Sequence, residues 1–228
     1  MFDAEHLATL VVLGAVLGLD VVSFPQAMLS RPLVAATAGG AVMGDPVSGL
    51  LAGATLELVA LETLPVGASR YPEWGSASVI GGALIGASGQ ATPGSLSVAL
   101  FAAIATGWIG GYTMVQMRAL NARWARSLHP AIAAGSRRAV LGLQFAGLAA
   151  DLIRGALLTS AALLAFEPLA TITLAVWEAD ARVSRAVAVT VAASVAAAAV
   201  WKLFRVTPGA RWYLAAGLAL GLVSMVLM

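Results

Sequence analysis

The 228-residue chain is 60% hydrophobic and only 11% charged, a balance too apolar for an ordinary soluble domain and suited to a protein embedded in a bilayer. Its formal charge of +2 is unevenly placed: residues 1–117 hold two arginines against seven carboxylates, and residues 118–228 hold eleven basic groups against four acids. That excess sits mostly in two short stretches, so it reads as a topology signal and not a nucleic-acid footprint, while the absence of cysteine excludes disulfides, thiolate metal sites and a cysteine nucleophile.

The first residues, MFDAEH, are acidic where a secretory signal is basic, so no cleaved leader is expected. Residues 7–19 stay apolar for about thirteen positions before Asp20, short of the roughly twenty that a simple membrane span needs. After Pro25 and Pro32 a second short apolar run covers 33–43. The pattern then recurs across a Gly44-Asp45-Pro46 turn: 49–61 is apolar, Leu64-Pro65-Val66-Gly67 interrupts it, and 79–85 follows. Half-length segments separated by proline and polar residues predict re-entrant hairpins, which leave backbone groups and helix ends available to a polar solute. Residues 74–94 are rich in Gly, Ala and Ser and so permit close helix approach.

Residues 96–117 form the first run long enough to cross plainly, and Arg118, Arg123, Arg126, Arg137 and Arg138 follow in what reads as a short cytoplasmic loop. Further spans are expected at 139–166, 186–201 and 212–228, with a connection at 168–181. The expected fold is an all-α integral membrane protein: two N-terminal re-entrant helical hairpins followed by about four transmembrane helices. Residues 1–90 form the hairpin, substrate-binding unit and 91–228 the transmembrane helix bundle of one membrane domain. The hairpins open from the side opposite the arginines.

Polar groups inside such a stretch usually face a cavity or a protein interior. Asp20 and Gln26 flank the first interruption, where they either bind a hydroxyl-rich solute or cap exposed backbone N–H groups. Arg31 is expected to pair with Asp20 or Glu57, and Asp45 to serve its turn. Glu57 and Glu62, five residues apart, would not share a face of one helix, but a break between them would let both reach one cavity. Asp151 and Arg154 stand i,i+3 within an apolar helix and are expected to pair as structural glue. His6 and His129 have no partner at metal-ligand spacing, and no Walker loop, GxSxG or GxGxxG pattern occurs, so neither a metal, a cofactor nor a catalytic residue is indicated.

Gly18-Leu19-Asp20, the run Gln26-x-Met28-Leu29-Ser30-Arg31-Pro32-Leu33-Val34-Ala35, Gly44-Asp45-Pro46-x-x-Gly49, Gly53-Ala54-x-Leu56-Glu57-Leu58 and Leu64-Pro65-Val66-Gly67-Ala68 stand in order at close spacing. Together they resemble the membrane IIC subunit of the mannose/fructose/sorbose-type phosphotransferase system, densely over residues 10–80. The resemblance implies a multi-pass permease of the bacterial inner membrane that carries a hexose or hexosamine. Partners implied are a IID membrane subunit and the soluble IIA and IIB phosphocarriers, with membrane lipid around it and oligomer formation expected. It carries sugar contacts onto Asp20, Gln26 and Glu57, with Glu62 in reserve. Pro65 stands where some family members have a polar side chain near the sugar, and Glu73 where Asp is common. Met228 comes about one membrane segment before the end of many members, which motivates an alternative reading as a scaffold or sensor. A second alternative is a secondary transporter that works without phosphorylation.

Overall fold

The computed structural model describes residues 2–21, 23–61, 63, 70–89 and 91–177, together with isolated positions beyond 177. Among the described residues there are helices and loops but no strand: α1 (Ala4–Asp20), α2 (Pro32–Val42), α3 (Pro46–Ala60), α4 (Trp74–Ala87), α5 (Pro93–Ala133) and α6 (Arg137–Ala175). The spans expected at 186–201 and 212–228 fall mostly outside the described residues.

Each helix start has a local cause. Side-chain oxygens of Asp3, Asp45, Glu73, Thr92 and Ser136 each accept the backbone N–H three residues on, which satisfies one of the orphan donors of α1, α3, α4, α5 and α6. Proline opens α2, α3 and α5, where its missing N–H would have had no partner. Asp45 is therefore spent on the turn between α2 and α3, as its Gly-Asp-Pro setting suggests, and its second oxygen accepts the Ser48 hydroxyl.

The short helices form two helix–loop–helix pairs, α1–α2 and α3–α4, and described residues of both connecting tips, among them Gln26 and Arg31 of the first and Thr63 and Tyr71 of the second, line the same cavity. Within this unit α2 lies against α3 and α4, while α1 packs chiefly on α6 and α4 and only lightly on α2. The seams are made by glycine. An added Cβ at Gly53 would lie 2.7 Å from the Pro32 carbonyl oxygen, and one at Gly40 2.8 Å from the Gly49 Cα. Between α2 and α4, a Cβ on Gly82 would fall on the Ala36 carbonyl oxygen, and one on Gly39 on that of Val79. In a bilayer, lipid is as apolar as leucine, so backbone approach and van der Waals packing replace the hydrophobic effect as the force between helices. Nearly all of α4 is buried, from Trp74 through Gly86, making it the most enclosed of the described helices.

Two sequence expectations need correction. The arginines from 118 to 138 are not in a short loop: α5 continues helical to Ala133, a turn through Gly135 (φ 77°) follows, and α6 begins at Arg137. Arg, Ala and Leu favour helix, and hydropathy reports where a chain leaves lipid, not where a helix ends. With 41 residues, α5 is about 61 Å long, roughly twice a hydrocarbon core of about 30 Å. Likewise α6 runs through Pro168 to Ala175, so no connection begins there; a proline inside a helix is tolerated where neighbouring helices support the freed backbone group. Both long helices are apolar enough to cross a membrane. On α6, Phe145, Ile153, Leu157, Leu164 and Ile172 are each more than half exposed, a face suited to lipid.

Candidate functional site

The two tips meet over a cavity of about 290 Å³. Asp20, Gln26 and Arg31 line it from the first tip, and Thr63, Tyr71 and Trp74 from the second. Its size lies at the low end of small-molecule pockets, roughly 300–1,000 Å³. The first interruption of the apolar sequence and the described residues that flank the second are thus two walls of one chamber.

The first wall is a loop in unusual backbone conformation. Gln26 and Met28 have φ of 57° and 62°, the left-handed region, where a non-glycine residue costs about 1–2 kcal/mol. What holds it is Asp20, the last residue of α1. One of its carboxylate oxygens accepts the Ala27 N–H at 2.7 Å and the other the Ser30 N–H at 2.8 Å, and the residue is only 3% exposed. Asp20 is at the site, therefore, but both its oxygens are engaged by backbone, which is the capping role the sequence left open.

Arg31 closes this loop. Its guanidinium pairs with Glu57 of α3, whose other oxygen accepts the Leu33 N–H at 3.2 Å, so the pair fastens the start of α2 to α3. Glu57 itself is behind Arg31 and not among the residues that line the cavity. Both partners keep some solvent exposure, 31% and 20%, which places the pair between surface bridges of about 0.5 kcal/mol and buried ones of about 3–5 kcal/mol. Arg31→Ala is expected to destabilise the protein by about 2 kcal/mol. The Arg31→Ala/Glu57→Ala double variant should lose less than the sum of the single changes, as thermal unfolding in detergent would show. Glu62 and Pro65 lie outside the described residues, so their part in the second wall is not placed.

Sequence reasoning missed the aromatic face of the second wall. The Trp74 indole N–H donates to the Thr63 hydroxyl at 3.0 Å, and the Tyr71 hydroxyl accepts from Arg118 Nη2 at 2.8 Å while that guanidinium also lies 5.2 Å from the tyrosine ring centre. Each ring is fixed at its polar end. Arg70, next in sequence, lies 5.8 Å and 5.7 Å from the rings of Trp108 and Tyr112 on α5, fastening the same segment from outside. The available signal was Tyr71-Pro72-Glu73-Trp74: two aromatics around a proline and an N-cap acid, directly before a helix of small residues.

Behind the cavity, the side chains of Glu73, Asp151 and Arg154 are all buried. Arg154 Nε donates to Asp151 Oδ1 at 2.7 Å and Nη1 to the Thr113 hydroxyl at 3.3 Å, so the expected pair forms and also ties α6 to α5. Glu73 accepts the Ser76 N–H at 3.0 Å and donates its own N–H to the Gly107 carbonyl at 2.9 Å. Among the described residues no group of three or more His, Cys, Asp or Glu could hold a metal ion.

Comparison with known proteins joins these features to a family. The family model described as "PTS system sorbose-specific IIC component" matches residues 6–178. The chain is 37% identical over 70 residues to the PTS system sorbose-specific EIIC component of Lacticaseibacillus casei, covering 31% of this chain and 25% of that protein. It is 36% identical over 96 residues to the fructose permease IIC component of Bacillus subtilis, covering 42% and 35% respectively. The aligned segments therefore span only a quarter to a third of these relatives. In fold, all of the chain superposes on 88% of a chain from the mannose transporter ManYZ in complex with microcin E492, with a TM-score of 0.64 and 20% identity. The family match runs from the first turn of α1 through both tips and the cavity to beyond the end of α6, and the chain belongs to the family of PTS sorbose-specific IIC components.

Proposed function

We propose that this chain is the sugar-translocating IIC subunit of a phosphoenolpyruvate-dependent sugar phosphotransferase system of the mannose/fructose/sorbose type, in a bacterial inner membrane. It binds a hexose or hexosamine in the cavity between the two tips. A IID subunit completes the membrane unit, and IIA and IIB proteins supply the phosphoryl group; no step of phosphoryl chemistry is assigned to this chain. Supporting this reading is one observation above the rest: the first interruption of the apolar sequence and the described residues flanking the second line one chamber of about 290 Å³ that offers an amide, a hydroxyl, a guanidinium and two fixed aromatic rings. Such a lining suits a monosaccharide, whose hydroxyls take the polar groups and whose C–H face covers an aromatic ring.

Gln26 and Thr63 are the hydroxyl contacts in this proposal, with Trp74 as the ring platform. Asp20 and Glu57 act mainly by holding the loop and Arg31. The helix pairs α1–α2 and α3–α4 enter and leave the membrane on one side, and residues 1–90 move against the bundle formed by 91–228 to alternate access.

Binding of mannose, fructose and sorbose to the purified protein with its IID partner tests the site. Saturable binding of at least one sugar is expected, weakened about a hundredfold by Gln26→Ala and Trp74→Ala together, at one to two kcal/mol for each lost contact. No saturable binding of any hexose or hexosamine sinks the proposal. Uptake that yields free sugar in vesicles without phosphoenolpyruvate, IIA and IIB would favour a secondary transporter instead.

A further inference from the structure

We propose that Asp151, seated by Arg154, is a positioning residue for the sugar loop 21–31: it holds that loop from α6 through Ser23 and so sets sugar affinity without touching sugar. The inference rests on the permease reading above for the identity of the solute, but not for the anchoring itself.

The loop needs an anchor. Two left-handed non-glycine residues within three positions persist only where the surroundings over-determine them, and such outliers gather at binding sites. Asp20 restrains the loop from its own base, through Ala27 and Ser30. A second restraint comes from a distant part of the chain: the Ser23 hydroxyl donates to Asp151 Oδ2 at 2.7 Å, across 128 residues of sequence. Asp151 is 5% exposed and its other oxygen is taken by Arg154 Nε at 2.7 Å, so its carboxylate has a fixed orientation. Arg154 is in turn held by Thr113 of α5.

This arrangement separates two roles for the pair. Glue between α5 and α6 would require only the Asp151–Arg154–Thr113 connection. The remaining carboxylate oxygen accepts from Ser23 in the cavity wall that carries the left-handed Gln26 and Met28. Through it, α5 and α6 are coupled to the position of Gln26, three residues beyond Ser23.

The test uses the full-length protein in lipid nanodiscs, with amide hydrogen exchange read on the peptide 21–31 and binding read with mannose, fructose and sorbose. Ser23→Ala is expected to speed exchange of the loop amides about tenfold, the loss of one hydrogen bond to a charged group, and to leave α4 amides unchanged. Ser23→Thr, which keeps the hydroxyl, should restore the wild-type exchange. For whichever sugar binds, Ser23→Ala should raise the dissociation constant about tenfold, while in sealed vesicles supplied with the IID, IIA and IIB proteins and phosphoenolpyruvate the maximal uptake rate stays within about twofold. The Ser23→Ala/Asp151→Asn double variant should bind no worse than the worse single variant. Wild-type loop exchange in Ser23→Ala overturns the anchoring, and faster exchange with unchanged affinity overturns the positioning role. A wild-type protein that binds none of the sugars, with Ser23→Ala still loosening the loop, upholds the anchor and counts against the permease reading alone.

Discussion

Gly82→Ala is expected to prevent the short-helix unit from assembling, although it adds a single methyl group to a residue type that helices accept poorly in the first place. The new Cβ would overlap the Ala36 carbonyl oxygen, with the carbonyl carbon 2.6 Å and the Ala36 Cα 2.8 Å away. These are backbone atoms, so no rotamer change relieves the overlap; α2 and α4 must separate. Ordinary overpacking costs about 1–3 kcal/mol, and separating the helices also undoes the Gly39 contact with Val79 on the same seam. A loss above about 3 kcal/mol is therefore expected, enough to remove most folded protein from a marginal domain. Because α4 carries Glu73 and Trp74 at its start, the cavity would open with it. The measurement is the monodisperse yield and melting temperature in detergent. Gly142→Ala is the control: a Cβ at that helical position meets nothing within 4 Å, so the substitution should be neutral or stabilise by up to about 1 kcal/mol. Equal behaviour of the two variants would refute the close-packed seam.

That seam also marks what the sequence did and did not disclose. Proline and polar residues at 25–32 and 64–67 identified the interruptions, because a broken helix in lipid needs some group to take its free N–H and C=O. The Gly-Asp-Pro signature identified the Asp45 turn, i,i+3 spacing the Asp151–Arg154 pair, and the scarcity of cations near Arg31 its pairing with a carboxylate, with Asp20 and Glu57 both open as partners. The choice of α4 and α3 over α1 as the neighbours of α2 was not legible, since it depends on which glycine faces which carbonyl across a gap. The length of α5 was hidden for another reason: helicity continues past the membrane boundary that hydropathy detects. Trp74 and Tyr71 were hidden because aromatics near a membrane usually suggest the interface, and only their hydrogen bonds to Thr63 and Arg118 aim them at the cavity.

Asp20→Ala is expected to abolish sugar binding while leaving the helices folded, because the residue supports the loop and not the core. Its two oxygens accept the Ala27 and Ser30 N–H groups at 2.7 and 2.8 Å in a site almost closed to solvent. Hydrogen bonds to a charged acceptor contribute about 1.5–3 kcal/mol each, which together exceeds the cost of the two left-handed residues they bracket. Without them the loop should leave that conformation, Gln26 should leave the cavity, and affinity should fall by at least about a hundredfold. Asp20→Asn retains one acceptor but turns an amide N–H toward a backbone N–H, so an intermediate loss is expected. Gln26→Ala supplies the discriminating comparison: it should weaken binding with a smaller change in loop amide exchange than Asp20→Ala, which should change both strongly. Normal loop exchange in Asp20→Ala would mean that the carboxylate meets the sugar directly and does not hold the backbone. The distinction bears on what the cavity can accept. With Asp20 satisfied by backbone and Glu57, behind the wall, engaged by Arg31 and Leu33, the carboxylates at and behind the first wall are already matched by the protein. A neutral, hydroxyl-rich solute then adds no net charge to a low-dielectric site, while a charged one would bring a desolvation cost that this lining is not arranged to offset.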